Sequence, residues 1–266
     1  MIAIVDYAKG NLRSVQKGLE AAGAQAFVTA DPAEIAQAQA LVMPGVGAYA
    51  DAMANMTENG QAEAVLERVK AGVPFLGICL GIQLLFEGGT EGAPEGGVVK
   101  GLGILPGISD RLPNHDTAGA FYKIPHVGWN TVDPVVLPNN GFTDAADGSG
   151  GTWDPLGEGG GAKASPHHRA NPAPSPEPPS PTSLGEPRSP YSDCPLFEGI
   201  QPGEYFYFTH SYVAPTSDFT VATTTHSITF PSAVQRDNVF GVQFHPEKSS
   251  DAGMAVLRNF ADLVRR

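Results

Sequence analysis

The sequence predicts an α/β fold: a mostly parallel sheet with helices on both faces, extended by antiparallel strands. Three observations point there. Apolar runs with little alternation at 1–5, 40–43 and 73–78 read as strands covered on both sides, and segments of helical spacing separate them. The third run ends in Gly77-Ile78-Cys79-Leu80-Gly81, the pattern of a sharp strand-to-helix turn. Past residue 121 the chain changes to short strand-like segments punctuated by turns.

Taken in order, Met1 to Val5 opens the sheet, and Asn11 is expected to cap a helix whose Leu12, Val15, Leu19 and Ala22 share one face before Gly23 stops it. Gln25 to Ala30 is the second strand and Asp31-Pro32 a helix start. Ala40 to Met43 follows as the third strand, then a helix near Gln61 to Lys70, then the strand that delivers Cys79 into a further helix. Lys123 to Asn130, Tyr205 to Val213, Val221 to Thr225 and Val239 to Phe244 are candidates for the antiparallel extension. Ser249 or Ser250 is expected to cap a last helix with Met254, Leu257, Phe260, Ala261 and Val264 on one face.

Composition narrows the function. The 266 residues carry a formal net charge of -12, which argues against nucleic acid as a partner and leaves small molecules or proteins. Two cysteines, Cys79 and Cys194, make no disulfide framework. With no basic leader and no apolar run of membrane-spanning length, a cytoplasmic protein without membrane association is expected. Residues 1–266 read as one domain, interrupted at 147–190, where 24 of 44 residues are Gly, Pro or Ser. Such a stretch buries too little apolar surface to offset its ordering entropy, so a disordered excursion from a surface loop is expected, with a docking element as the alternative. His167-His168 within it reads as two solvated histidines.

The chemistry centres on Cys79. A thiol on such a turn is exposed, and the flanking glycines permit its cramped backbone. The helix N-terminus behind it favours a thiolate and a nearby oxyanion. A free cysteine after an apolar strand is more often core than catalyst, so the turn alone is insufficient. Phe240-Gly-Val-Gln-Phe-His-Pro-Glu247 supplies the complement. Pro246 keeps His245 extended, and residues i and i+2 of an extended chain point the same way, so Glu247 can orient the imidazole. Nucleophile, base and orienting carboxylate make a triad. Pro44-Gly45-Val46-Gly47 imitates a dinucleotide fingerprint but follows the third strand, so it reads as a glycine loop offering backbone N–H groups to an oxyanion.

Gly77-Ile-Cys-Leu-Gly81 with Gln83, and His245-Pro-Glu247 far downstream, resemble the class I glutamine amidotransferases, a family with a doubly wound α/β fold. Asp6-Tyr7, Gly10-Asn11-Leu12, Pro125-His-Val-Gly-Trp-Asn130, Tyr207-Phe-Thr-His-Ser-Tyr212, Phe230-Pro-Ser-Ala233 and Gln243 to Ser250 narrow the likeness to the glutaminase subunits of imidazole glycerol phosphate synthase. The resemblance covers nearly the whole chain except the Gly/Pro/Ser segment. It implies that Cys79 attacks the side-chain amide of glutamine, with His245 as base and Glu247 as its orienter. It implies an oxyanion hole from backbone N–H groups of Leu80 and the Gly45-Val46-Gly47 loop, and a substrate grip by Gln83, Glu91 and the backbone at Ser211 and Tyr212. Ammonia would pass to a (β/α)8-barrel cyclase subunit in a heterodimer, docked on Trp129, Tyr207 and Lys248. The products there are imidazole glycerol phosphate and AICAR nucleotide, in histidine biosynthesis. Neither cofactor nor metal is expected.

Three other readings compete. An α/β-hydrolase with a cysteine elbow has no reason to carry Gln83 and His245-Pro-Glu247. A redox sensor built on Cys79 needs neither His245 nor Glu247. A glutaminase serving another pathway, such as pyridoxal phosphate synthesis, is separated by the barrel protein that binds it.

Overall fold

The computed structural model describes residues 1–8, 10–135, 191 and 194–265. All of them belong to one of two units, Met1–Val136 with Arg188–Arg266. The other unit, Leu137–Pro187, lies outside the described residues, as do the expectations for 147–190 and for His167-His168.

The first half runs β1 (Ile2–Val5), α1 (Leu12–Ala21), β2 (Ala26–Thr29), α2 (Pro32–Ile35), β3 (Ala40–Gly45), α3 (Tyr49–Glu58), α4 (Gln61–Lys70), β4 (Phe75–Cys79) and α5 (Leu80–Leu84). Next come β5 (Phe86–Gly89), β6 (Val99–Lys100), β7 (Leu105–Arg111), β8 (His126–Pro134), β9 (Glu204–His210), β10 (Tyr212–Val213), β11 (Thr220–Thr225), β12 (Thr229–Arg236), β13 (Val239–Val242) and α6 (Ser250–Arg265). Nine strands form one sheet in the order β2-β1-β3-β4-β13-β12-β11-β8-β9, and β10-β7-β5-β6 form a second.

Strand alternation sorts the core into two layers. Ile2, Ile4, Val42 and Leu76 pack with Val15 and Leu19 of α1 and with Val256, Leu257 and Phe260 of α6. Their chain neighbours Ala3, Val5, Leu41 and Phe75 pack on the other face with Ile35, Ala52, Met56 and Val65 of α2, α3 and α4. Burial on both faces is why these strands read as unbroken apolar runs.

Several local expectations need correction. Asn11 precedes α1 without capping it, because its Oδ1 accepts from the Ser14 hydroxyl at 2.9 Å. Asp31 does cap α2, accepting from the Ala33 amide at 2.9 Å. Helix α3 was not expected, although Tyr49, Ala52, Met53 and Met56 bury one helical face. The helix after Cys79 ends at Leu84, because residues 102–105 claim the carbonyls it would use: Leu102 N donates to Leu84 O, and Ile104 N and Leu105 N donate to Leu85 O, each at 2.9 Å. β13 pairs antiparallel with β12, as expected, but lies inside the sheet and not in an extension beyond it. It turns back from β12 at Asp237-Asn238 and pairs parallel with β4, Val242 beside Ile78. That register carries the chain beyond β13 to the C-terminal end of β4, where Cys79 sits.

Candidate active site

The site lies at the C-terminal ends of β3, β4 and β13, where parallel sheets place their ligands. Cys79 is buried, not exposed as the turn suggested, with φ +56° and ψ -104°, a region that costs a non-glycine residue about 1–3 kcal/mol. Two close approaches impose it. A Cβ on Gly77 would stand 2.5 Å from the Gly81 carbonyl oxygen, and one on Gly81 would overlap the carbonyl oxygen of Met43. The Cys79 thiol donates to the Thr209 carbonyl at 3.7 Å and accepts from Gln243 Nε2 at 3.7 Å.

His245 and Glu247 come from the turn after β13. Glu247 Oε1 lies 2.9 Å from His245 Nδ1, both side chains almost fully buried, so Nδ1 carries a proton toward the carboxylate. The backbone is clamped as well. His245 N donates to Tyr207 O at 2.9 Å, the Ser249 hydroxyl donates to His245 O at 2.6 Å, and Tyr207 N donates to that hydroxyl at 3.0 Å. Burial alone pulls the imidazole pKa down, but Cys79 and Glu247 outweigh it and raise it to about 10. Nε2 is buried without a conventional hydrogen bond and faces the thiol that helps raise this pKa. The arrangement favours the imidazolium, the state His245 reaches when the thiol proton passes to it.

Cys79 opens on a cavity of about 420 Å³ lined by Val46, Gly47, Leu80, Gln83, Glu91, Ser211 and Tyr212 among others. Seven of the eight residues expected as oxyanion or substrate groups therefore meet there. Gly45 does not line it. It closes β3 directly opposite Cys79 and packs under the Tyr7 hydroxyl, which a Cβ would overlap. Gly47, which lines the cavity, has φ +106°, a conformation that favours glycine.

The substrate residues are more committed to the protein than sequence suggested. Gln83 spends its Nε2 on the Tyr212 carbonyl at 2.8 Å and on Gln243 Oε1 at 3.1 Å, leaving its own oxygen for a ligand. Glu91 accepts from the first amide of α3, Tyr49 N, at 3.0 Å. Burial raises its pKa, with the Tyr49 amide opposing and Asp51 adding to the rise. The Tyr212 carbonyl is taken by Gln83 and by His210 Nδ1, and the Ser211 carbonyl by Leu112 N.

Trp129 and Tyr207 are register partners on β8 and β9 with rings 6.2 Å apart, and the Lys248 ammonium stands 5.8 Å from the Tyr207 ring centre. Val127, Trp129 and Tyr205 on the same face are each more than half exposed. Thr209, paired with Val127, links this face to the cavity. Sequence reasoning gave no role to Gln243, His126 or His210. Their signal was a polar residue at an inward position of an otherwise apolar strand or turn.

The α/β fold agrees with the class of protein that the family comparison gives. The chain belongs to the glutamine amidotransferase class-I family, whose model matches residues 3–263. Within that class it is 40% identical to imidazole glycerol phosphate synthase subunit HisH of Syntrophotalea carbinolica, over 99% of this chain and all of the relative. The HisH subunits of Moorella thermoacetica and Caldanaerobacter subterraneus are 41% and 35% identical, over 99% and 100% of this chain and 95% and 99% of theirs. Among solved structures, a glutamine amidotransferase aligns with TM-score 0.60 at 17% identity, covering 100% of this chain and 99% of its own. PurLQS from Thermotoga maritima aligns with TM-score 0.55 at 15% identity, covering 98% and 97%. These two share the fold.

Proposed function

We propose that this chain is the glutaminase subunit of an imidazole glycerol phosphate synthase, with Cys79, His245 and Glu247 as its triad. The observation that carries the reading is His245. Its Nδ1 is held by Glu247 while its buried, unpartnered Nε2 faces the thiol at the mouth of a cavity of about 420 Å³. The full-length likeness to subunits named HisH supports the choice of synthase.

The Cys79 sulfur attacks the side-chain amide carbon of glutamine as His245 removes the thiol proton. The proton then goes to the departing nitrogen, ammonia leaves, and a glutamyl thioester remains. His245 next takes a proton from water, hydroxide adds to the thioester, and glutamate departs as the sulfur regains a proton. Leu80, Val46 and Gly47 are the candidates to donate backbone N–H groups to the oxyanion, with Gly45 fixing the loop from behind. Gln83, Glu91, Ser211 and Tyr212 shape the subsite for the glutamine head group. Ammonia passes to a cyclase subunit docked on Trp129, Tyr207 and Lys248, where imidazole glycerol phosphate and AICAR nucleotide form. One amidotransferase domain spans 1–266 with 147–190 as its insertion. The two free, buried cysteines fit work in the reducing cytoplasm.

Reconstitution with a HisH relative's cyclase subunit tests this. Glutamine should support imidazole glycerol phosphate formation by the mixture. A mixture that uses free ammonia but never glutamine would refute the assignment.

A further inference from the structure

Gln243, fully buried just beyond β13, lies between Gln83 and the nucleophile. Which end of its amide faces the sulfur is decided by a neighbour. The Tyr212 carbonyl can only accept, and it receives Gln83 Nε2 at 2.8 Å. The same nitrogen reaches the Gln243 amide at 3.1 Å, so the atom met there is the oxygen. The nitrogen of Gln243 is thereby left facing Cys79 Sγ, at 3.7 Å.

The same carbonyl polarises a second arm. His210 Nδ1, 3.0 Å away, must carry a proton, which leaves Nε2 of the neutral ring as an acceptor. His126 Nδ1 therefore donates to it at 3.1 Å, and His126 Nε2 accepts from Asn130 Nδ2 at 3.3 Å. Asn130 is anchored by a second donation, to the Thr225 carbonyl at 2.9 Å. Burial, with a smaller push from neighbouring imidazoles, lowers the pKa of His126 to about 4 and of His210 to about 3, so both rings are neutral near pH 7. The two arms meet at the Tyr212 carbonyl, which accepts from both.

We infer that Gln243 is a further catalytic group that holds a hydrogen-bond donor on the Cys79 sulfur, and that Gln83, anchored on the Tyr212 carbonyl, is the positioning residue that fixes its orientation. A donor stabilises the thiolate relative to the thiol, and an amide turned the other way, oxygen to sulfur, does the reverse. Gln83 keeps the wrong orientation from forming, because a flipped Gln243 would set two N–H groups of facing amides against each other. The inference rests on Cys79 being the nucleophile.

The test is the pH profile of Cys79 alkylation by iodoacetamide in the full chain, with the labelled site located by mass spectrometry. Cys79 also faces His245 and the Tyr7 hydroxyl, and both remain in every variant. Gln243→Met, which keeps the volume but loses the donor, should move the profile midpoint up by about one pH unit. Gln243→Glu should move it further. Unmoved midpoints in both Gln243 variants overturn the inference. Failure of the nucleophile assignment shows separately, as glutamine hydrolysis by Cys79→Ala.

Discussion

Gly81 packs against the Met43 carbonyl so closely that the turn after Cys79 and strand β3 leave no room for a methyl group. Gly81→Ala must therefore move backbone, at a cost of about 1–3 kcal/mol. The displaced turn carries Cys79 and the Leu80 amide. Denaturant unfolding should show the lost stability, and glutamine hydrolysis should fall by more than the fraction unfolded accounts for.

Glu247→Gln keeps the shape of the His245 partner and removes its charge. Glutaminase turnover should drop about 10²- to 10⁴-fold, because the imidazolium formed on proton transfer loses its stabiliser. Stability should change with pH in a defined sense. The folded pKa of about 10 lies above the ordinary 6.5, so the stabilisation by Cys79 and Glu247 is fully present below pH 6.5 and fades as pH rises through 10. The Gln variant should be most destabilised near pH 6 and approach wild type above pH 10. Equal destabilisation at both pH values would contradict the assigned interaction.

His126 and His210 act on the acid side. Their folded pKa values, about 4 and about 3, lie below 6.5, so the unfolded chain binds protons first as pH falls. Stability should decline between pH 6.5 and 4 with a contribution approaching two protons, about 2.7 kcal/mol per pH unit. His126→Phe should halve that slope, measured by denaturant unfolding across the range.

Trp129 is half exposed on a face it shares with Val127, Tyr205 and Tyr207. Aromatic anchors of this kind dominate interface energetics. Trp129→Ala should weaken association with the cyclase subunit about 30-fold (~2 kcal/mol) by titration calorimetry, while the isolated chain keeps its thermal stability.

Much of this was legible in the sequence because it is local. Gly77 and Gly81 announced the turn, Pro246 set the direction of His245 and Glu247, and unbroken apolar runs marked strands buried on both faces. What was hidden depends on long-range pairing. Nothing local tells that β13 inserts beside β4 and not at the sheet edge, since that follows from the turn at Asp237-Asn238 and the register of Val242 with Ile78. The early end of α5 at Leu84 is set by amides some twenty residues on. That Gln83 also donates to Tyr212 and Gln243 was hidden, because these partners lie 129 and 160 residues away. The family match and the curated relatives favour the glutaminase reading of the sequence over its hydrolase and pyridoxal phosphate alternatives.

The central claim is that one thiol, activated by one imidazole, releases ammonia from glutamine. Its most direct measurement is glutamate release by the full chain with its cyclase subunit, comparing wild type with Cys79→Ala and His245→Ala. Both variants should fall to background while the complex still uses free ammonia. Undiminished glutamine hydrolysis in His245→Ala would contradict the mechanism.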